Sequence, residues 1–285
     1  TNSSQSVAVK SFVLSKNVAY WCKVKNDADI VNLNLEYYYT VRSSVKTNFG
    51  DPFVVLNLSN TGSYSKTRLE AFISQIQQSV DILDSLFQPQ QTDDSITLKT
   101  IDISLQTDET LDGSLGQAGG GTIEINDQNS GTNGLGKKTE TGETLETLSQ
   151  NIPVIIHEIM HVLGFGLGTD WDELVKLDNP DNKNYFFYGK NAISAYNELV
   201  VDGVTYSKIP IEDDGGAGTE YSHWEEDEIR TDSSGKTYPY FREEIMSGYL
   251  NGNNYISKLT LGAFKDMKYL VNYDSDYVTT PPVIT

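Results

Sequence analysis

The chain has 285 residues, enough for one large core or for two lobes around a cleft. Its 21 Lys and Arg against 40 Asp and Glu give a formal charge of −19, which disfavours nucleic acid and anionic membrane surfaces as partners. No apolar run approaches the ~20 residues that span a bilayer, so no transmembrane segment is expected. No signal peptide opens the sequence, and Thr1 reads as a trimmed or mature start. Cys22 is the sole cysteine, which rules out an internal disulfide and leaves the redox compartment open. No D-x-D-x-D-G loop makes calcium specific, and Asn2 and Asn57 fit glycosylation acceptors of a very common kind.

Residues 1–50 mix short β-type runs (7–14, 18–24 and 30–41) with Ser and Asn, and read as strands or an extended N-terminal segment. Cys22 could cap a metal in a latent precursor, although a small buried side chain is the simpler reading. Residues 53–58 suit a strand, ending in the turn-rich stretch 57–62. From 65 to 87, Leu69, Phe72, Ile73, Ile76, Val80, Leu83 and Phe87 fall on one helical face, and Pro89 stops the helix. Residues 96–105 alternate as a strand, and the Gly-rich piece 113–121 leads into a second short strand at 121–126. If that second strand forms the sheet edge, its free backbone groups could hold an extended peptide, with an ordinary edge strand as the equal alternative. Residues 127–138 read as a loop, and 139–150 as a short helix or turn.

The stretch 151–164 organises the rest. His157 and His161 are four residues apart, so on a helix they are offset by about 40° and present two imidazoles on one face. Such a pair can share one tetrahedral Zn²⁺. Glu158 lies about 100° further round, beside a metal rather than on it, where it can take a proton from water. This is the H-E-x-x-H arrangement of zinc peptidases. Pro153 suits the first helical turn, and Gly164 can adopt the left-handed conformation that ends the helix. The helix is apolar nearly all round and should be buried, where two unpaired His and a Glu would be costly. A core helix with both imidazoles hydrogen-bonded is the competing account. Two of the three His in the chain sit in this motif, which favours the metal.

Residues 165–220 look loop-rich, with a short helix at 191–201. The third histidine follows at His223, beside Trp224. Residues 243–250 suggest a tight turn around Met246. Residues 256–273 read as a helix capped by Ser257 or Thr260, and 274–285 as a loose tail. The simplest account is one α+β unit without repeats. Its expected parts are the segment 1–50, an N-terminal lobe 51–166 with the metal helix, a C-terminal lobe 167–275 and a tail 276–285. The order strand, long helix, strand, short strand, metal helix is that of a zincin-like N-terminal lobe, a mixed twisted sheet with a backing helix.

A catalytic zinc site keeps three protein ligands. The compact metzincin motif would take its third His three residues past Gly164, but Leu167 stands there and cannot ligate. The chain instead resembles the leishmanolysin (gp63-like) family of metzincins, whose motif is stretched by a long insertion. The resemblance rests on residues 157–165, then Ser222-His223-Trp224-Glu225, then Glu244-Ile245-Met246, and on 256–261, 266–269 and 271–273. It covers roughly residues 50–275, and departs from the family in lacking disulfides and in an apparent insertion at 230–240.

The resemblance implies a two-lobed metzincin fold and a zinc-dependent endopeptidase acting on proteins or peptides through metal-activated water. His157, His161 and His223 would be the metal ligands, Glu158 the general base and then acid, and Met246 the residue beneath the metal in a Met-turn. Tyr249 could help stabilise an oxyanion. A monomer in an extracellular or cell-surface setting is expected. Two alternatives stay open: a Glu as third ligand, for which Glu198 is placed, or a non-catalytic binding or adhesion module with structural zinc.

Overall fold

The computed structural model describes residues 37–47, 49–60, 64, 66–88, 98–127, 134–135, 151–179, 184–250 and 253–284. The expected runs at 7–14 and 18–24, Cys22, Asn2 and the helix or turn at 139–150 lie outside them. Residues 36–285 group as one compact unit, begun by β1 (Tyr37–Arg42) and β2 (Val54–Asn60). The long helix α1 (Lys66–Leu86) then leads to β3 (Lys99–Gln106) and the single turn α2 (Asp108–Leu111). A hairpin of β4 (Gly116–Gly119) and β5 (Thr122–Asn126) completes a five-stranded sheet in the order β1-β2-β3-β5-β4. The sheet is mixed: β2, β3 and β5 run parallel, and the two outer strands antiparallel to their neighbours.

Alternation explains the strands. Leu56, Leu58, Ile101, Ile103, Ile123 and Ile125 are buried, and Thr100, Asp102 and Thr122 between them are exposed. Each buried Ile or Leu contributes about 1.5–3 kcal/mol. Phe72, Ile76, Val80 and Leu83 turn the buried stripe of α1 inward, as the helical spacing predicts.

One conditional expectation fails here. The strand at 122–126 is not the edge, because β4 pairs with it on the outside. Gly120 and Gly121 both have positive φ (57° and 85°), so the Gly-rich piece folds back as a hairpin rather than trailing as a loop.

A short strand β6 (Gly134–Leu135) precedes α3 (Asn151–Val162), which packs against α1, β4 and β5. Beyond it the chain is less loop-rich than its composition suggests. The helix α4 (Thr169–Leu174), β7 (Val175–Asn179), β8 (Asn184–Phe187), α5 (Lys190–Leu199) and β9 (Ile209–Pro210) build a three-stranded antiparallel sheet beside two helices. Phe186 and Phe187, adjacent in β8, are both buried, so a two-sided strand shows no alternation to read.

The stretch 230–240, expected as an inserted loop, is a small hairpin of β10 (Arg230–Thr231) and β11 (Thr237–Tyr238), followed by β12 (Tyr240–Phe241) and β13 (Asn253–Asn254). The last helix, α6 (Lys258–Asp266), starts at Ser257, whose hydroxyl accepts from the Leu259 amide. It stops well short of residue 273, because Lys268 takes a positive φ of 73°. The tail is not loose: Val278 and Thr279 are buried, Thr279 bonds Ile256, and β14 (Val283–Ile284) pairs with β12. No helix among the described residues is long and apolar enough to cross a membrane.

Candidate metal centre

Every residue of α3 from Ile152 to His161 is buried, His157, Glu158 and His161 included. The helix ends as its sequence predicts, with Gly164 at φ 117°. The chain then turns, and Gly166 (φ 73°) lies so close to Ser222 that a Cβ there would collide with the Ser222 carbonyl oxygen. This close approach delivers the residue after Ser222 to the face of α3. His223 is held there by its own backbone as well, since the Glu212 amide donates to the His223 carbonyl at 3.0 Å. Trp224 anchors the same segment, packing on Phe165, Phe187 and Trp171 at ring separations of 5.1, 5.4 and 5.9 Å. Its indole N–H donates to Thr260 at 2.9 Å.

The three imidazoles converge. Their Nε2 atoms stand 3.0 Å apart (157 to 161) and 3.1 Å apart (157 to 223 and 161 to 223). Each ring uses its other nitrogen on a backbone carbonyl: His157 Nδ1 on Ile245 at 2.6 Å, His161 Nδ1 on Phe165 at 2.8 Å, His223 Nδ1 on Thr219 at 2.8 Å. A carbonyl only accepts, so each Nδ1 carries the proton and each Nε2 presents a bare lone pair. Three lone pairs aimed at one another repel unless a cation lies among them. Two nitrogens sharing one tetrahedral Zn²⁺ are separated by about 3.3 Å, close to what the rings adopt. Burial, the largest influence, lowers all three imidazoles: His157 well below the usual value, His161 to about 4 and His223 to about 3. They are neutral at physiological pH, the form that ligates. This donor set fits a metal ion.

Residues 143–280, which include His157, Glu158, His161, His223 and Met246, match the family model described as Leishmanolysin. A curated relative, the leishmanolysin homolog of Crithidia fasciculata, is 32% identical over 132 residues, which is 44% of this chain and 18% of that protein. Through this stretch the chain is similar to the leishmanolysin family. It is a family of zinc metallopeptidases. The chain thus matches less than a fifth of that relative's length, and no solved structure matches it.

Within this region the geometry does not favour the Glu198 alternative. Its side chain is 58% exposed on α5 and pairs with Lys258 at 3.2 Å, while His223 joins the other two imidazoles. Met246 is fully buried inside a backbone turn closed by Ser247 N–H to Glu244 carbonyl at 3.1 Å. Tyr249, on the same loop, is 57% exposed. Glu158 has no cation to hold it ionised among the described residues, and burial pushes its carboxyl up to about 8. The edge strand β4 crosses right beside it: a Cβ on Gly116 would meet Glu158 Oε1 at 2.9 Å and the Val154 side chain at 2.9 Å. The three carbonyl partners, Gly116 and Gly166 escape sequence reading. Only the closely spaced glycines 164, 166 and 168 hint at a close turn.

Behind His223 lies a buried acidic group. Glu225 pairs with Arg230, which also reaches Asp213 and, at 3.1 Å, Glu228. Glu226 accepts from the Gly248 amide at 2.9 Å, tying this segment to the Met246 loop. Burial, outweighing Arg230, raises Glu225 to about 8, and burial raises Glu226 to about 9. A carboxyl raised in the folded state lends stability that is full below its unfolded value of 4.5 and is lost as pH rises through 8 to 9. The unfolding temperature of the metal-free protein should therefore fall between pH 6 and pH 9, and Glu226→Gln should flatten that fall. A profile that is flat in the unaltered protein, or as steep in the variant, would contradict the assignment.

Proposed function

We propose that the chain is a zinc-dependent endopeptidase in which His157, His161 and His223 hold the metal and Glu158 moves the proton. The observation that carries the reading is the meeting of three buried Nε2 atoms, with buried Glu158 next to His157 on α3. When bound, Zn²⁺ supplies Lewis acidity, polarising a peptide carbonyl and acidifying water. Glu158 accepts a proton from the attacking water and delivers it to the departing amine.

The architecture follows the same reading. Residues 51–166 serve as the N-terminal lobe of a metzincin unit and 167–275 as the C-terminal lobe, with the turn around Met246 as its Met-turn. The sheet ends at β4 beside Glu158, where an extended peptide can add as the next strand. Gly116 leaves room there for the carboxylate. Gly116→Ala is expected to displace Glu158 and cut kcat/KM by about 10–100-fold with zinc content unchanged. Unimpaired cleavage would remove Gly116 from the site.

A module with purely structural zinc would need four protein ligands. Among the described residues this cluster offers three. The direct test is a mixed peptide library: cleavage should vanish with a zinc chelator and return on adding Zn²⁺. Cleavage insensitive to chelation, or none with zinc bound, would overturn the proposal.

A further inference from the structure

Glu244 is fully buried and is not among the three clustered imidazoles. Its carboxylate is met by donors on both oxygens. Oε2 accepts from the Met246 amide at 2.7 Å, and Oε1 from the Ser257 amide at 3.2 Å and the Ser257 hydroxyl at 2.6 Å. Ser257 is the cap of α6, so the carboxylate sits at the start of that helix, where negative charge is favoured. These bonds lock the turn 244–247 onto α6.

The two residues that follow reach the metal centre from both sides. The Ile245 carbonyl accepts from His157 Nδ1 at 2.6 Å. The Met246 carbonyl accepts from the amide of Trp224, the residue after His223, at 2.9 Å. A shift of this turn would loosen the carbonyl that dictates which nitrogen of His157 carries its proton.

We propose that Glu244 is a positioning residue for the metal centre, holding the Ile245 carbonyl where it fixes His157 with Nδ1 protonated and Nε2 free for zinc. The proposal rests on the zinc reading above and adds to it a dependence of metal affinity on a carboxylate that never touches the metal.

Glu244→Gln tests it. The amide has nearly the same size, but one of its ends becomes a donor and must face either the Met246 N–H or the Ser257 donors. Zinc affinity, measured by competition with a chromophoric chelator, should fall about 10–100-fold. Nitrogen NMR of the metal-free protein should show His157 shifting towards a mixture of tautomers. His161, whose Nδ1 bonds Phe165, should stay as it was, a contrast that general loosening of the fold would not produce. Wild-type zinc affinity together with an unchanged His157 tautomer would overturn the proposal.

Should Glu244→Gln not fold, Ser257→Ala keeps the carboxylate and removes one donor. It should move both readouts in the same direction by a smaller factor, and no movement in either would also overturn the proposal. A wild-type chain that binds no zinc would instead retire the zinc reading. The tautomer measurement needs no metal and still decides whether Glu244 sets His157.

Discussion

Glu158→Ala is expected to lower peptide hydrolysis by about 10²–10⁴-fold while the protein still takes up zinc. The two halves of this expectation come from different parts of the geometry. In the proposed site the metal would be held by three Nε2 atoms whose rings are oriented by backbone carbonyls, and none of these contacts involves Glu158. The proton transfer depends on one carboxylate that α3 places one residue after His157, beneath Gly116. The loss should appear in kcat more than in KM, because a base acts in the transition state rather than in substrate binding. Near-normal turnover would reject Glu158 as the base even if zinc and peptidase activity both prove real.

His223→Ala should weaken zinc binding by more than the ~10–100-fold typical of losing an outer partner, since it removes a ligand and leaves two imidazoles on one helix. Folding should suffer less than metal binding, because Trp224 and its aromatic neighbours anchor the segment independently of the ring at 223. Glu198→Ala is the control. Its carboxylate is exposed and paired with Lys258, so its loss should leave zinc affinity unchanged. Unaltered metal affinity in His223→Ala would show that another residue completes the set.

How much of this the amino-acid order reveals depends on how local each cause is. His157, Glu158, His161 and Gly164 are legible because helix geometry alone puts them on neighbouring faces and ends the helix. The long helix before β3 is legible for the same reason, through Phe72, Ile76, Val80 and Leu83. His223 lies 62 residues beyond His161, too far for spacing to predict, and it was reached only through resemblance to a family. The carbonyls of Phe165, Thr219 and Ile245 were invisible because every residue carries one. The strand β8 is not legible because the burial of both Phe186 and Phe187 erases alternation. The outer strand β4 is not legible because its residues 116–119 are Gly- and Ala-rich, and the two positive-φ glycines that turn the hairpin leave no strand signal. Glu244 stands between these cases: its place beside Met246 is plain in the sequence, but its reach to Ser257 is tertiary.

X-ray absorption at the zinc edge on the reconstituted protein tests the central claim most directly. The account predicts one zinc per chain with three imidazole nitrogens at about 2.0–2.1 Å and a light-atom fourth neighbour. A shell with only two imidazoles would contradict it, as would one zinc whose signal is the same in His223→Ala.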